Sequence, residues 1–551
     1  MTIRKTPSSS TPTGNLTQPP AGLPSRNPSK SYWLKDLSPT LVGHRSTPDL
    51  PEEADVVIVG SGITGAFAAR FLLEGEYSEN GGGSEGSAVK GGEEKKVVML
   101  EAREACSGAT GRNGGHCQPL VYGAAPAVAA FELEVYDFLE RFVKEEGVDC
   151  DWVSLSGVHA FLSDRMFEVA VAEAEQLQQT HPELAAQLEV VRPSFASGSS
   201  TTDETKPTLA SLRVPSARGV VIQQKAASLW PYKLVASVLE RLIARHPAPR
   251  FNLQTNTPVT SLDRAESGTG WTLTTPRGQI TARQVLLATN GYTSHLLPAF
   301  SDLIVPVRGQ IGAILPPQST PESTSLTTST SASSPAKLTH SYSFIAEVGP
   351  DTDTDSNSSL LTSASASAPR DDYLVQRPLP NGELIYGGGR RLARGLGVGE
   401  WRDDEVEEDV AKYLKGSLSP PLDLASSASS PGYPAEKGAT EQQHLDATFE
   451  WTGVMGFSRD HHAWVGPVPE SLGGGEGPDG GGLFVCAGYT GHGMPAAALS
   501  AREVVRQMTG RVVVRQTGEG EKKEAEFPVE FLASEERVNQ ARGFPHVTQG
   551  W

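Results

Sequence analysis

The stretch "ADVVIVGSGITGAFAARFLLEG", residues 54–75, runs from an apolar segment through three glycines into an alanine-rich segment. "DVVIVG" reads as a buried strand and residues 64–74 as a helix, and "KVVML", ending before Glu101, reads as a second buried strand. Strand, helix and strand make a βαβ unit. Gly60-Ser61-Gly62-Ile63-Thr64-Gly65 matches the GxGxxG pattern at the strand-to-helix turn. There the first glycine permits the tight turn, the second lets a pyrophosphate approach the backbone, and the third lets helix and strand lie close. Amide N–H groups and the helix dipole face the phosphates. An acidic residue at the end of the second strand, here Glu101, accepts hydrogen bonds from ribose hydroxyls and repels a 2′-phosphate.

That acidic residue ordinarily follows about 20 residues beyond the glycines, whereas 36 positions separate Gly65 from Glu101. Residues 78–95, "SENGGGSEGSAVKGGEEK", account for the excess as a surface insertion between helix and strand. Similar stretches poor in large apolar groups occupy 196–207, 316–336, 350–369, 416–440 and 471–482. Ordering them would not recover its conformational entropy, so each is expected to project from a compact body.

The 551 residues allow two or three domains and an interior able to hold a large ligand. Lysine and arginine number 47 against 65 acidic residues, a net charge of −18 that argues against general affinity for nucleic acid or anionic membrane. No apolar run approaches the 18 or more residues of a membrane span. Cys106, Cys117, Cys150 and Cys486 show neither CxxC spacing nor the density of a disulfide framework, so a reducing compartment is expected and a zinc site is not. The first 35 residues hold basic but no acidic groups, faintly like an organelle transit sequence, yet six prolines oppose the amphipathic helix such a sequence needs. They read as a disordered tail on a cytoplasmic protein, with organelle targeting left open.

Residues 124–146 and 228–246 carry apolar positions at helical spacing, stopping at Gly147 and Pro247. "FNLQT", "PVTSLDRA", "GWTLTT", "GQITA" and "QVLLATNGY" follow as short strands, and 371–389 reads as a hairpin turning at Pro380-Asn381-Gly382.

After Glu101 comes "EAREACSGATGRNGGHCQP" (101–119), whose glycines and small residues offer backbone N–H groups, with Arg112 and Asn113 as polar reach. "SGATGRNGG" after such a unit resembles the D-amino-acid-oxidase-like family of FAD-dependent oxidoreductases, particularly its γ-glutamylputrescine oxidase-like and glycine/sarcosine oxidase-like branches. Further similar stretches follow in order: "VLLATNGYTS" (285–294), "VPVRGQIGAI" (305–314), "YLVQRPLPNGELIYGGGR" (373–390), "WTGVMGFSRDHHAWVGPV" (451–468) and "LFVCAGYTGHGMPAAALSAREVV" (483–505). They span about residues 54–508.

The resemblance implies an α/β fold, a discontinuous Rossmann-like FAD-binding domain with an α+β antiparallel-sheet substrate domain. On that reading 1–50 is a disordered tail, and 51–150, 215–300 and 450–510 bind FAD. Residues 151–214 and 301–449 form the substrate domain, and 511–551 a C-terminal extension. FAD would be held by Gly60, Ser61, Gly62, Ile63, Thr64 and Gly65, by Glu101, Ala102 and Arg103, and by Ser107, Gly108, Ala109, Thr110, Arg112, Asn113, Gly114, Gly115 and His116. Val259, Ala288, Thr289 and Asn290 would border it at strand ends, with Gly491, His492, Gly493 and Met494 over the isoalloxazine. A helix starting near Met494-Pro495 would aim its N-terminus at the N1–C2 edge, where reduced flavin gains negative charge.

His492 and Arg308 are the candidate catalytic residues. His492 contacts flavin or substrate, or else belongs to a turn whose side chain merely packs; both readings stand. Arg308, Arg390 and Arg391 could each hold a carboxylate, or lie at the surface. His461 and His462, adjacent and so turned to opposite faces of a strand, cannot share a metal ion; they replace a family pattern "DGLPLIG" and were placed at the substrate pocket or its rim. No metal is expected. The reaction implied is oxidation of a C–N bond in a small amine or amino acid, with O2 or another electron acceptor. A NAD-dependent dehydrogenase and a non-catalytic or assembly-factor flavoprotein remain as alternatives.

Overall fold

The computed structural model describes residues 18–75, 95–193, 206–317, 335–347, 370–424, 444–475, 481–510 and 525–547. The expected insertions at 78–95, 196–207, 316–336 and 350–369 fall largely outside the described residues.

Two sheets organise the chain. In the first, the strands run in the order Trp464–Pro467, Gly482–Ala487, Gly278–Leu287, Glu53–Val59, Val97–Leu100 and Phe251–Gln254. The four junctions from Gly482–Ala487 through Phe251–Gln254 are parallel. Glu53–Val59 lies inside this sheet, pairing Val57 with Val285 on one side and Val98 on the other. Its alternation sends Val56 and Ile58 into a core with Phe67, Leu239 and Val504 of the helices Ile63–Glu74, Pro231–Arg245 and Ala497–Thr509. Val57 and Val59 face the opposite core with Trp271, Leu273 and Phe300. A strand covered on both faces must be apolar at every inner position, as "VVIV" is. "GQITA" and "QVLLATNGY", expected apart, belong to one strand, Gly278–Leu287, that pairs antiparallel with Trp271–Thr275 and then parallel with Glu53–Val59.

The second sheet is mainly antiparallel, in the order Ala447–Ser458, Ile304–Ile314, Leu384–Gly387, Arg370–Gln376, His340–Ala346, Val153–Phe161, Gly219–Ser228 and His116–Cys117. Gly219–Ser228 and Ala447–Ser458, which the sequence reading grouped with the FAD unit, pair here instead. One face buries Val158, Tyr342, Phe344 and Leu374 against Val410 and Leu414 of the helix Glu408–Gly416. The expected hairpin pairs Tyr373 with Gly387, and Gly382 takes a positive φ of 63° in its turn.

Three expectations about solvated segments need correction. Residues 18–50 are no disordered tail: Trp33 is fully buried, and Tyr32 and Leu41 join the main core. Leu418 and Leu422 are buried beside the helix Glu408–Gly416, and Leu472 is buried too. Isolated leucines in Ser/Pro/Gly-rich stretches carry no period, yet each supplies enough apolar area to anchor its segment. No helix among the described residues is long and apolar enough to cross a membrane.

Candidate functional site

The glycine turn sits where the physics of the pattern requires. Gly60 has φ of +105°, and a Cβ there would lie 2.6 Å from the Ala288 carbonyl oxygen. A Cβ on Gly65 would lie 1.9 Å from the Gly60 oxygen, so only glycine lets helix and turn approach this closely. Gly62, at ordinary φ, is the N-cap of Ile63–Glu74 and supplies no side-chain cap; a Cβ there would meet only Thr110 Oγ1, at 3.0 Å. The glycine turn thus leaves a cleft at a helix N-terminus, whose first amide, Ile63 N, donates to Thr110 Oγ1 at 3.1 Å. Glu101 stands over it, accepting from Ser61 N (3.1 Å) and Ser61 Oγ (2.6 Å) at Oε2 and from Arg103 N (3.0 Å) at Oε1. The late acidic residue is therefore in contact with the glycine loop.

A cavity of about 970 Å³ opens from this turn and continues beneath the second sheet. It lies at the upper end of the roughly 300–1,000 Å³ of ligand sites. Most of the residues expected at the cofactor line it: Gly60 to Thr64, Glu101 to Arg103, Gly108 to Thr110, Arg112 to Gly114, His116, Val259, Ala288 to Asn290 and Gly491 to Met494. Gly65, Ser107 and Gly115 do not. Gly65 serves helix packing, Gly115 is enclosed by Trp33 and the Leu229 carbonyl oxygen, and the Ser107 carbonyl oxygen accepts from Arg103 Nη2 at 2.8 Å.

Arg308 is a correction. Its guanidinium is buried against Glu407 at 2.6 Å and Glu405 at 3.6 Å, off the cavity. Gln310 also reaches Glu407, and the strand Ile304–Ile314 lines the cavity at Gly309, Gln310 and Ile311 but not at Arg308. Arg391 does not line the cavity; Arg390 does, with Nη2 3.1 Å from Asp371 Oδ2. His461 and His462 also lie off it: His462 stacks near Phe531, and its carbonyl oxygen accepts from Arg537, which is paired with Asp460.

The C-terminal turn does reach the cavity. Tyr489 donates or accepts at Thr64 Oγ1 (2.9 Å), tying this turn to the glycine helix. Thr490 and Gly491 take positive φ, and the helix begins at Ala497, three residues later than Met494. His492 lines the cavity, with Nδ1 3.8 Å from Glu132 Oε1 on the helix Pro126–Glu145. Glu132 is buried and also accepts from Leu120 N at 2.7 Å.

Sequence reasoning missed the roof. Residues alternate along the second sheet, so beside buried Val158, Tyr342 and Leu374 stand His159, Ser343 and Tyr373, which line the cavity. A period-2 reading of "GVHAF" and "SYSFI" would have marked them. Burial holds His159 down to about 3, with repulsion from His116 and His492 adding; burial does the same to His116. His116 Nε2 is 3.0 Å from Ser341 Oγ, and His159 is held by Tyr122, Gln118 and Gln223. Burial pulls Arg112 down to about 10, and it shares Asp403 with Arg103. The two guanidiniums share this carboxylate beside the glycine turn, with the Glu101 carboxylate close by, and Arg112 Nη1 is buried without a hydrogen-bond partner. The glycine cleft, the buried Glu101 carboxylate and the orphaned Arg112 Nη1 form a set of groups that fits FAD.

A family model described as "FAD dependent oxidoreductase" matches residues 55–507. A curated protein, "Probable oxidoreductase OrdL" of Rhizobium meliloti, is 25% identical over 310 residues, 51% of this chain and 61% of its own length, so the match spans less than two thirds of that relative. Among solved structures, glycine oxidase from Geobacillus kaustophilus superposes with a TM-score of 0.55 at 16% identity, covering 84% of this chain and 96% of its own. L-proline dehydrogenase from P. horikoshii gives 0.54 at 16%, covering 84% and 96%. Iminodiacetate oxidase from Chelativorans sp. BNC1 gives 0.53 at 14%, covering 87% and 99%. These likenesses concern the fold.

Proposed function

The chain belongs to the family of FAD-dependent oxidoreductases, and from that premise we propose that it oxidises a C–N bond of a small amine or amino acid. The observation that carries this reading is the pair of imidazoles lining the cavity, the half-buried His116 and the buried His159, both held neutral by loss of solvation. A site that disfavours an imidazolium disfavours a bound ammonium for the same reason, loss of solvation. It therefore favours the free amine, whose lone pair assists departure of hydride from the adjacent carbon. FAD, held by the residues named below, would supply the hydride acceptor and pass the electron pair on to O2 or another acceptor, the resulting imine being hydrolysed by water.

The chain's own groups divide the remaining work. Gly60 to Thr64, the N-terminus of Ile63–Glu74 and the Arg103–Arg112 pair would hold the pyrophosphate, and Glu101 the ribose. His492, with Glu132 facing Nδ1, has Nε2 left to take a proton from an incoming ammonium. Arg390, paired with Asp371 at the cavity wall, offers its guanidinium to the carboxylate of an amino acid. The similar structures carry the names of glycine, L-proline and iminodiacetate, each with nitrogen next to a carbon bearing carboxylate.

The test is anaerobic mixing of the FAD-loaded protein with a panel of amines and amino acids. Bleaching of the oxidised flavin by at least one of them is expected. A flavin that dithionite reduces but no member of the panel bleaches would favour the non-catalytic alternative.

A further inference from the structure

Residues 18–50 precede the stretch that matches the family, 55–507, yet Gly22, Leu23 and Pro24 line the cavity on the side of Glu101 and Arg103. Several of the contacts that hold this segment are made with the cofactor loop, beside others to Ser294, Thr452 and Trp230. The Ser25 carbonyl oxygen accepts from Arg103 Nη1 at 3.2 Å. Arg112 Nη2 donates to the Ser29 carbonyl oxygen at 2.6 Å and to Ser29 Oγ at 2.7 Å. Ser31 Oγ donates to the Gly111 carbonyl oxygen at 2.7 Å, and Trp33 Nε1 to that of Asn113 at 2.5 Å. Asp403 closes the arrangement: its carboxylate bridges Arg103 and Arg112, while its carbonyl oxygen accepts from Ser29 N and Ser29 Oγ. Every residue of the loop named here except Gly111 lines the cavity.

We propose that residues 21–33 are a working part of the cofactor site, a strap over the adenosine diphosphate half of the cavity whose docking is coupled to FAD binding and slows its release. The inference rests on the placement of FAD in this cavity, and it assigns a role to a segment outside the family match. Ordering a dozen residues costs conformational entropy; the core packing of Tyr32 and Trp33 offsets part of it, and the contacts with 103–113 add theirs only while that loop holds its shape. A dinucleotide lying on the same loop holds that shape. Coupling is reciprocal, so whatever steadies the loop must steady the strap, and the docked strap must in turn retain the dinucleotide. Leu23 and Pro24 add apolar cover on the side of the ribose carboxylate, where water would otherwise compete for its hydrogen bonds.

Hydrogen–deuterium exchange over 21–33 in the full chain, loaded with FAD and stripped of it, reads the coupling directly. FAD is expected to slow exchange there, ADP alone to do the same, and riboflavin alone to leave it unchanged. In a Ser29→Ala/Ser31→Ala chain, which loses the hydroxyl links to Arg112 and Gly111, FAD should dissociate about tenfold faster, with the stripped protein's melting temperature kept. Exchange indifferent to FAD, or release from the double variant at the wild-type rate, overturns the inference. If the double variant fails to fold, the exchange comparison on the unaltered chain decides. A wild-type chain that takes up no FAD overturns both the strap and the placement of the cofactor.

Discussion

Gly62 and Gly65 belong to one motif and do different work, which substitution separates. Gly62 has ordinary φ and meets only Thr110 Oγ1 at 3.0 Å, so Gly62→Leu should fold with a near-normal melting temperature and carry little or no FAD, read as flavin absorbance per chain. Gly65→Ala puts a methyl 1.9 Å from the Gly60 oxygen and should cost about 1–3 kcal/mol of stability in denaturant unfolding, even without cofactor. His159 makes a second prediction. Its ordinary value near 6.5 is drawn down to about 3 by burial, so the unfolded chain takes up a proton at a pH where the folded one does not. Its contribution is complete above pH 6.5 and is lost as pH falls toward 3, so the unfolding free energy should decline through that window. His159→Gln should flatten the decline. At this level the glycine motif and the placement of Glu101 beside it were legible because backbone sterics and an acidic residue at a strand end leave a local signature. Arg308 was not, because a strand residue faces one side or the other according to register, and only the Glu407 contact shows which.

The elements around the cavity were readable where one period dominates. Ile63–Glu74, Pro126–Glu145 and Pro231–Arg245 fall where the apolar spacing puts them, while the segment 18–50 hides its anchors, Trp33 and Tyr32, among serines and prolines. The helix Ala497–Thr509 and its preceding turn allow a direct test of what the turn faces. A Cβ on Gly493 would meet nothing nearer than Tyr489 at 3.8 Å, so the protein itself has room for a side chain there. Gly493→Val should therefore leave the melting temperature unchanged. If the turn covers the flavin, the variant should lower the midpoint potential of its bound flavin and slow anaerobic reduction, since displacing a helix N-terminus removes up to about 2 kcal/mol of stabilisation from an anionic ring. An unaltered potential on the flavin-bound fraction would place the turn elsewhere.

Asp403 joins parts of the molecule that sequence order keeps far apart: the strap, the loop after Glu101 and the second sheet's border. It is 1% exposed and holds two buried arginines, so Asp403→Asn should cost about 3–5 kcal/mol, measured on the stripped protein, by leaving their charge uncompensated. No pattern in the sequence marks it, since one aspartate among the six acidic residues of "WRDDEVEEDV" resembles any solvated acidic run. The division into two sheets was legible from alternating strand and helix patterns, but the assignment of Gly219–Ser228 and Ala447–Ser458 depended on pairing partners hundreds of residues away. The interleaving has a consequence for biosynthesis. Inside the first sheet Glu53–Val59 meets Gly278–Leu287, which in turn needs Gly482–Ala487, and the cavity wall is finished only at Ala497. Contacts of such long sequence separation close late. If this cavity holds the flavin, its wall is incomplete until nearly the whole chain has left the ribosome, and chains arrested on the ribosome before residue 480 should take up no FAD.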